Sequence, residues 1–176
     1  MAGLRKGICY RFLERPYVRR SKVRSKGYIK TVPPNKIVRY YMGNSKKEFS
    51  YEINLISKED AQIRHNAIES ARLVINRKLH LNTGSKNYFL KIRLYPHHII
   101  RENKMIGGAH ADRLQSGMAH SFGKPVGLAG QVRKGKIIFS AYVDKENMQK
   151  ARDALWSAVS RIPVKCIIEV NQINKP

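Results

Sequence analysis

The chain has few of the residues that cross-link secreted proteins or hold metals. Only two of its 176 residues are cysteines, and Cys9 and Cys166 show neither metal-ligand spacing nor a disulfide framework. The longest nearly apolar run, residues 137–143, is far too short to cross a bilayer. The start, Met1 to Lys6, begins like a signal peptide, but no apolar stretch follows it. These absences predict a cytoplasmic protein that neither enters the secretory pathway nor contacts a membrane.

Acidic residues are also scarce, with 12 Asp and Glu against 35 Lys and Arg. Glu59, Asp60, Asp144 and Glu146 lie at two predicted helix starts, where the helix macrodipole accounts for them. The other carboxylates are scattered, without a paired spacing such as D-x-D. The Gly107-Gly108 pair lacks the Gly-Lys-Ser/Thr ending of a P-loop, and no strand–glycine–helix pattern marks a dinucleotide site. We therefore expect no cofactor and no metal.

Positive charge is what the chain has in abundance, with a formal net charge of +23. Such an excess weakens an isolated compact fold by self-repulsion and attracts polyanions. Residues 1–30 contain ten Lys and Arg and one acid, Glu14, yet the rest of the chain is also basic. With 42% apolar residues, the chain can still form one domain with a core. A basic arm on a basic body predicts a nucleic-acid partner that surrounds the protein.

Tyrosines are interleaved with the basic residues of the N-terminal arm, residues 1–35. Lys and Arg can neutralise phosphates, while Tyr10, Tyr17 and Tyr28 can stack on exposed bases. The alternative is a solvated basic arm with incidental aromatics. We favour RNA, because ten like charges left in water would gain nothing for the fold.

Hydrophobic periodicity predicts the elements of the body. Alternating or continuous apolar residues predict strands at residues 37–42, 49–55, 88–95, 97–100, 126–132, 136–143 and 166–170. A hairpin is predicted across Arg133-Lys134-Gly135. Helical spacing predicts one helix that begins at a Ser57 cap and ends before Asn82-Thr83-Gly84, and another from Asp144 or Asn147 to Pro163. The apolar face of the first helix is predicted to hold Ala61, Ile68, Ala71, Ile75 and Leu79. On the first helix we expect a solvated stripe made of Gln62, His65, Glu69, Arg72 and Asn76.

The strands cluster around two helices instead of alternating with them. This order predicts an α+β fold with a mainly antiparallel sheet. No repeat or linker divides the chain. We therefore expect a single domain, in which residues 1–35 form a basic extension and residues 36–176 form the α+β RNA-binding part.

Residues 101–125 break the periodicity of the chain. Four glycines and the absence of a sustained period make this segment a poor strand and a doubtful helix. Its apolar residues, such as Met105, Leu114 and Phe122, are unlike those of an idle linker. Long connections of this kind inside compact domains are usually functional. We expect the segment to become ordered against a partner.

This segment also contains the strongest catalytic candidates, His110, Asp112 and His120. Two imidazoles can act as acid and base on a phosphodiester, and the carboxylate between them can orient one ring or hold a metal. The alternative function is therefore a free-standing RNA-processing enzyme, such as a nuclease. We favour a protein that is not an enzyme, in which these residues pack or contact RNA, because no second carboxylate or metal cluster accompanies them.

Several motifs of this chain resemble a known family. They are Cys9-Tyr10-Arg11, Arg15-Pro16-Tyr17, residues 93–101, Arg101-x-Asn103-Lys104-Met105, Ala111-Asp112-Arg113-Leu114-Gln115-x-Gly117-Met118, Phe122-Gly123-Lys124-Pro125 and Gly135-Lys136-Ile137-Ile138. Together they resemble the archaeal and eukaryotic large-subunit ribosomal protein called "ten-e", the counterpart of bacterial large-subunit protein sixteen. The likeness covers nearly the whole chain.

The resemblance implies a structural protein of the large ribosomal subunit. The family's fold is an α/β sandwich with a hammerhead-like β excursion. Its members bind large-subunit rRNA between the central protuberance and the peptidyl transferase centre, beside neighbouring ribosomal proteins, and join the subunit late in assembly. The long loop reaches towards the acceptor arms of tRNAs and contributes no catalytic group. A ribosome-bound, cytoplasmic protein that forms no homo-oligomer is the expectation.

Residues for RNA contact follow from the resemblance and from the charge. In the arm we expect contacts from Arg11, Arg15, Arg19, Arg20, Lys22 and Arg24. In the loop we expect them from Arg101, Asn103, Lys104, Arg113, Gln115 and Lys124. The chain departs from the eukaryotic pattern at Gly107-Gly108, which implies a looser loop tip, and at Ala119, where relatives carry an Arg. No contact is therefore assigned to Ala119 or His120.

Overall fold

In the part of the chain that the structure describes, two antiparallel sheets and two α-helices build the fold. The computed structural model describes residues 5–18, 23, 25, 29, 31–103 and 123–173. Within these residues the strands are β1 Tyr41–Gly43, β2 Tyr51–Ser57, β3 Ala61–Arg64, β4 Tyr88–Ile92, β5 His98–Glu102, β6 Lys124–Val132, β7 Ile137–Val143 and β8 Cys166–Gln172. The helices are α1 His65–Thr83 and α2 Met148–Ala158, and short 3-10 turns cover Gly7–Tyr10, Lys145–Asn147 and Val159–Arg161. This confirms the predicted α+β class with two helices and antiparallel pairing.

The larger sheet has the strand order β1-β4-β7-β2-β8. Both helices pack against it and against each other. The Tyr88 hydroxyl donates a hydrogen bond to Asn76 of α1 at 2.9 Å, which fixes the face of β4 that meets the helix. Ile53, Leu55 and Phe139 are completely buried in this core, and burying each such side chain stabilises the fold by about 1.5–3 kcal/mol.

The smaller sheet has the order β3-β6-β5. β6 is its central strand, with Ala61 opposite Val132 on one side and His98 opposite Ala129 on the other. Residues of β3 and β6 belong to the same hydrophobic core as the larger sheet. The second sheet therefore extends the core and carries β5, the strand that leads towards residues 104–122.

The predicted start of the first helix was wrong. Ser57 does not cap a helix; its hydroxyl donates to the Glu59 carbonyl at 2.7 Å within a turn. The next residues form β3, which pairs with β6 and buries Ala61 and Ile63 completely. The helix begins only at His65. Strand pairing and burial outweigh the local helix signal here, because they are tertiary interactions that a capping pattern does not register.

The solvated stripe predicted for this helix was also largely wrong. Gln62, His65 and Arg72 are buried. Arg72 donates to Glu69 through Nε at 2.8 Å and reaches the Met42 sulfur at 3.2 Å, so an internal ion pair permits its burial. The predicted apolar face, with Ile68, Ala71, Ile75 and Leu79 buried, was confirmed.

The predicted hairpin across Arg133-Lys134-Gly135 was wrong as well. β6 pairs with β3 and β5, whereas β7 pairs with β2 and β4. The turn instead carries the chain from one sheet to the other, and the Gly135 N–H donates to the Ser57 carbonyl at 2.8 Å. Two adjacent apolar runs with a glycine turn look the same in sequence whether or not they pair with each other.

Two smaller expectations also need correction. The second helix lies where predicted, but neither Asp144 nor Asn147 caps it with a side-chain hydrogen bond; Asp144 pairs with Lys47 at 2.8 Å instead. The acids near position 60 do not serve a helix dipole. Glu59 pairs with Arg11, and Asp60 accepts a hydrogen bond from the Lys134 N–H at 2.7 Å.

Candidate nucleic-acid interface

The ends of the segment 104–122 are held together by strand pairing. Glu102 at the end of β5 lies opposite Lys124 at the start of β6, and Arg101 lies opposite Pro125. We call residues 101–103 and 123–125 the loop base. The pairing of β5 with β6 continues to Glu102 and Lys124. The chain therefore leaves the small sheet and re-enters it at directly opposite positions.

Gly123 allows this close approach. Its φ of +146° lies in a region that favours glycine. A Cβ at this position would lie 2.7 Å from the Glu102 carbonyl carbon and 2.9 Å from the Asn103 nitrogen. Any side chain would therefore push the two ends of the loop base apart.

Residues 5–14 of the N-terminal arm lie along the same small sheet. Their backbone carbonyls accept hydrogen bonds at Arg11 from the Gln62 N–H, at 3.0 Å, and at Glu14 from the Gln131 side chain, at 2.8 Å. The Arg64 guanidinium donates to the Arg5 carbonyl at 3.1 Å. Residues from β3 and β6 thus bind this part of the arm, which includes the 3-10 turn Gly7–Tyr10, so that it belongs to the fold.

Tyr17 connects the arm to β5. Its N–H donates to Nδ1 of His98 at 2.9 Å, and its carbonyl accepts from the Ile99 N–H at 3.0 Å. Ile29, Ile99 and Leu128 form a second small apolar cluster, against which Tyr17 packs. The arm is therefore held by both hydrogen bonds and apolar contact, next to the strand that leads to the loop base.

His98 must be neutral to accept that hydrogen bond. Burial, with smaller contributions from His97 and Arg101, lowers the pKa of His98 to about 4. Nδ1 is then an acceptor at neutral pH. His97, the residue before β5, is exposed, whereas His98 is buried.

Two tyrosines of the arm contact arginines of the sheet. The Arg101 guanidinium lies 3.7 Å from the centre of the Tyr17 ring, and the Arg64 guanidinium lies 5.0 Å from that of Tyr10. These are cation–π distances. The two rings that were predicted to stack on bases therefore also contact arginines of the small sheet.

A cleft of about 230 Å³ lies between the arm and β5, and its lining includes Arg5, Tyr10, Arg101 and Asn103. Arg5 pairs with Glu102 at 2.9 Å. Burial and the Glu102 carboxylate raise the pKa of Tyr10, whose hydroxyl donates to Glu102 at 3.4 Å. Glu102 thus joins the arm to the loop base from a position that sequence reasoning did not single out.

The structure describes five of the predicted RNA-contact residues: Arg11, Arg15, Arg101, Asn103 and Lys124. Arg101, Asn103 and Lys124 come together at the loop base. Arg15 is exposed on the arm, two residues before Tyr17. Arg11 is partly used within the fold, because it pairs with Glu59 at 2.9 Å.

The other predicted contacts lie outside the described residues, namely Arg19, Arg20, Lys22, Arg24, Lys104, Arg113 and Gln115. The catalytic candidates His110, Asp112 and His120 lie outside them too. Sequence reasoning missed Arg5, Arg64 and Glu102. Their single charges carry no motif, and only the folded path of the arm brings them together.

Residues 14–169 match the family described as ribosomal protein L16p/L10e. The chain belongs to this family. It is similar to proteins named "Large ribosomal subunit protein uL16" from three archaea. The identity is 47% in Staphylothermus marinus (92% of this chain, 90% of the relative) and 44% in Methanococcus aeolicus (97% and 95%). In Sulfolobus acidocaldarius it is 43% (98% and 96%).

This membership confirms the family that the motifs predicted. It also confirms a structural ribosomal protein in place of the alternative RNA-processing enzyme. Within the described part of the chain, no three His, Cys, Asp or Glu side chains lie together as a metal site would require. No helix among the same residues is long and apolar enough to cross a membrane.

Proposed function

We propose that this protein is a structural constituent of the large ribosomal subunit. In this proposal it binds large-subunit rRNA near the central protuberance and the peptidyl transferase centre, in the cytoplasm and beside neighbouring ribosomal proteins. Residues 101–125 form its functional loop, which helps to position the acceptor arm of tRNA. The names of its relatives support the subunit, and the charge of +23 supports an RNA partner.

The observation that carries the proposal is the meeting of arm and loop base on one strand. Tyr17 is hydrogen-bonded to His98 and Ile99 at the start of β5, and β5 ends at Glu102 in the loop base. The stack of Arg101 on Tyr17 joins the two segments directly. Residues 5–18 of the arm and the loop base therefore form one continuous surface on the small sheet, which suits a protein that links separate parts of a large RNA.

Within that surface we assign two kinds of contact. Exposed cations such as Arg15 and Lys124 neutralise phosphates and set the register on the RNA. Arg101 and Asn103 lie beside the cleft, where a guanidinium and an amide can donate to phosphate or base edges. The remaining predicted cations of the arm extend the phosphate contacts. This division predicts affinity dominated by salt-sensitive contacts.

The salt dependence of rRNA binding tests the proposal. Each phosphate neutralised contributes roughly −0.7 to −0.9 to the slope of log affinity against log salt. Replacing Arg19, Arg20 and Arg24 by Ala should make that slope shallower by about two to three units. Filter binding of a large-subunit rRNA fragment at several salt concentrations measures it.

A matched control removes the same charge elsewhere. Lys145, Lys150 and Arg152 are exposed on or beside α2, and their replacement by Ala should leave the slope nearly unchanged. Equal slopes for the two triple variants and the wild type would show that the arm binds no phosphate. An equal decrease of the slope in both triple variants would show that net charge alone attracts the RNA, without a specific role for the surface described above.

A further inference from the structure

Three aromatic rings stack in a row on the larger sheet, away from the arm and the loop base. The Tyr41 and Phe89 ring centres are 6.2 Å apart with planes 4° from parallel, and those of Phe89 and Tyr142 are 5.6 Å apart at 29°. Phe89 and Tyr142 are directly opposite each other on β4 and β7, and β1 supplies Tyr41 from the sheet edge. We call these three residues the aromatic row.

The aromatic row lies on the face of the sheet opposite the helices. Leu90 and Ile92 of β4 are buried in the core, so the alternate residues Phe89 and Lys91 point to the other side. Tyr41 is 60% exposed, whereas Phe89 and Tyr142 are half-buried. The row therefore runs from two half-buried rings to the exposed ring of Tyr41, and core packing does not explain why a large ring is placed there.

One cation lies at the exposed end of the row, and a second lies farther along the same face. The Lys91 ammonium lies 5.5 Å from the centre of the Tyr41 ring. Arg93 is exposed and follows Lys91 in the same alternation, and it acts electrostatically on the Tyr142 hydroxyl. Such a combination of an accessible ring with nearby cations suits a base attached to phosphates.

The acids of this face lie towards the other edge. Glu52 accepts a hydrogen bond from the Tyr142 hydroxyl at 2.9 Å, and burial together with this carboxylate raises the pKa of Tyr142. Glu169 lies on the far edge strand β8, opposite Asn54. The end of the row at Tyr41 is therefore the basic end.

We propose that the aromatic row is a second RNA site, on which an unpaired base stacks against Tyr41 while Lys91 contacts its phosphate and Arg93, two residues along the same face, contacts a neighbouring phosphate. The proposal rests on the function proposed above and adds a surface separate from arm and loop. RNA is favoured over a protein partner because the exposed ring has the Lys91 ammonium beside it and lies at the end of the row away from the acids. An unpaired base is required because duplex RNA does not expose base faces.

The contact of Lys91 with Tyr41 does not block this site. A single exposed cation–π contact is weaker than the stacking of a base on an aromatic ring. An incoming base displaces the flexible Lys91 side chain, which then reaches the phosphate beside that base. The ring and the ammonium thus bind different parts of one nucleotide.

The test compares two short single strands with the same number of phosphates, oligouridine and an abasic oligoribonucleotide. Tyr41→Ala should weaken binding to oligouridine roughly 5-fold to 100-fold and leave binding to the abasic strand unchanged, since stacking needs a base. Tyr41→Phe should bind oligouridine like the wild type. Trp156→Ala removes another ring that is 60% exposed, from α2, and should change neither affinity.

Three results would overturn the site. They are unchanged affinity of Tyr41→Ala for oligouridine, an equal loss on both strands, and a loss that Trp156→Ala shares. As a check inside the particle, p-benzoylphenylalanine in place of Tyr41 should cross-link to rRNA in large subunits. A cross-link to a protein would also overturn it. If the wild type did not sediment with large subunits at all, the proposed function would fail instead, so the two failures are distinguishable.

Discussion

At the scale of single residues, the candidate interface depends on side chains that hold distant parts of the chain in place. His98 is the clearest case. Its sequence context predicted a strand at residues 97–100, and β5 does begin at His98. Nothing in the sequence predicted that Nδ1 of His98 would hold the backbone of Tyr17, 81 residues away. Such a pairing depends on the path of the arm, which hydrophobic periodicity does not contain.

The lowered pKa of His98 predicts a pH-dependent stability. The unfolded imidazole takes a proton below its ordinary pKa of 6.5, whereas the folded one does so only near pH 4. The contribution of His98 is therefore complete above pH 6.5 and is lost as pH falls from 6.5 towards 4. Between pH 7 and pH 5 the free energy of unfolding should drop by about 2 kcal/mol through this residue, as urea denaturation at the two pH values can measure.

The control for this effect is His98→Asn, whose Oδ1 takes the place of Nδ1 as acceptor for the Tyr17 N–H and does not titrate. The pKa of His65 is lowered too, chiefly by burial, so the wild type and the variant share that background. The variant should lose less stability than the wild type between pH 7 and pH 5. Identical losses in both proteins would mean that His98 is not the neutral acceptor described here.

At the scale of elements, local sequence patterns predicted those features that depend on residues close together in the chain. Both helices and their apolar faces were predictable, since Ile68, Ala71, Ile75 and Leu79 repeat at helical spacing. The start of α1 was not, because β3 is strand only through its pairing with β6. The supposed β6–β7 hairpin failed for the same reason: pairing partners of a strand are chosen by the whole sheet, and a glycine turn between two apolar runs leaves that choice open.

The loop base makes a prediction about the segment it closes. Deleting residues 107–116 should leave the core intact, because Glu102 still pairs with Lys124 and Gly123 still fits against the backbone of β5. Thermal unfolding should shift by less than about 4 °C, the change that roughly 1 kcal/mol produces in a domain of this size. The variant should still join large subunits, while peptide synthesis by those subunits falls.

Single histidine changes provide the comparison for the deletion. His110→Ala and His120→Ala should each reduce peptide synthesis far less than the deletion does, because a scaffold needs shape and contacts and not a titrating group. An enzyme would behave in the opposite way. If the purified protein cleaved RNA and either substitution abolished the cleavage while RNA binding remained, the structural function would be contradicted.

At the scale of the whole molecule, composition predicted the kind of partner, and the fold brings the arm and the loop base together on one strand. The charge and the loop motifs were sufficient for an RNA-binding ribosomal family, which the comparisons confirm. They were not sufficient for the joining of arm and loop base through Tyr17, His98 and Arg101. That arrangement depends on contacts between residues far apart in the sequence, and it turns two basic segments into one surface.

Sedimentation of a native lysate tests the central claim, that this surface binds the protein to the large subunit, most directly. At low salt the protein should sediment almost wholly with large subunits and with assembled ribosomes. It should move to the top of the gradient as salt is raised, because phosphate contacts hold it. A protein found mainly free at low salt, or associated with a particle other than the large subunit, would contradict the account.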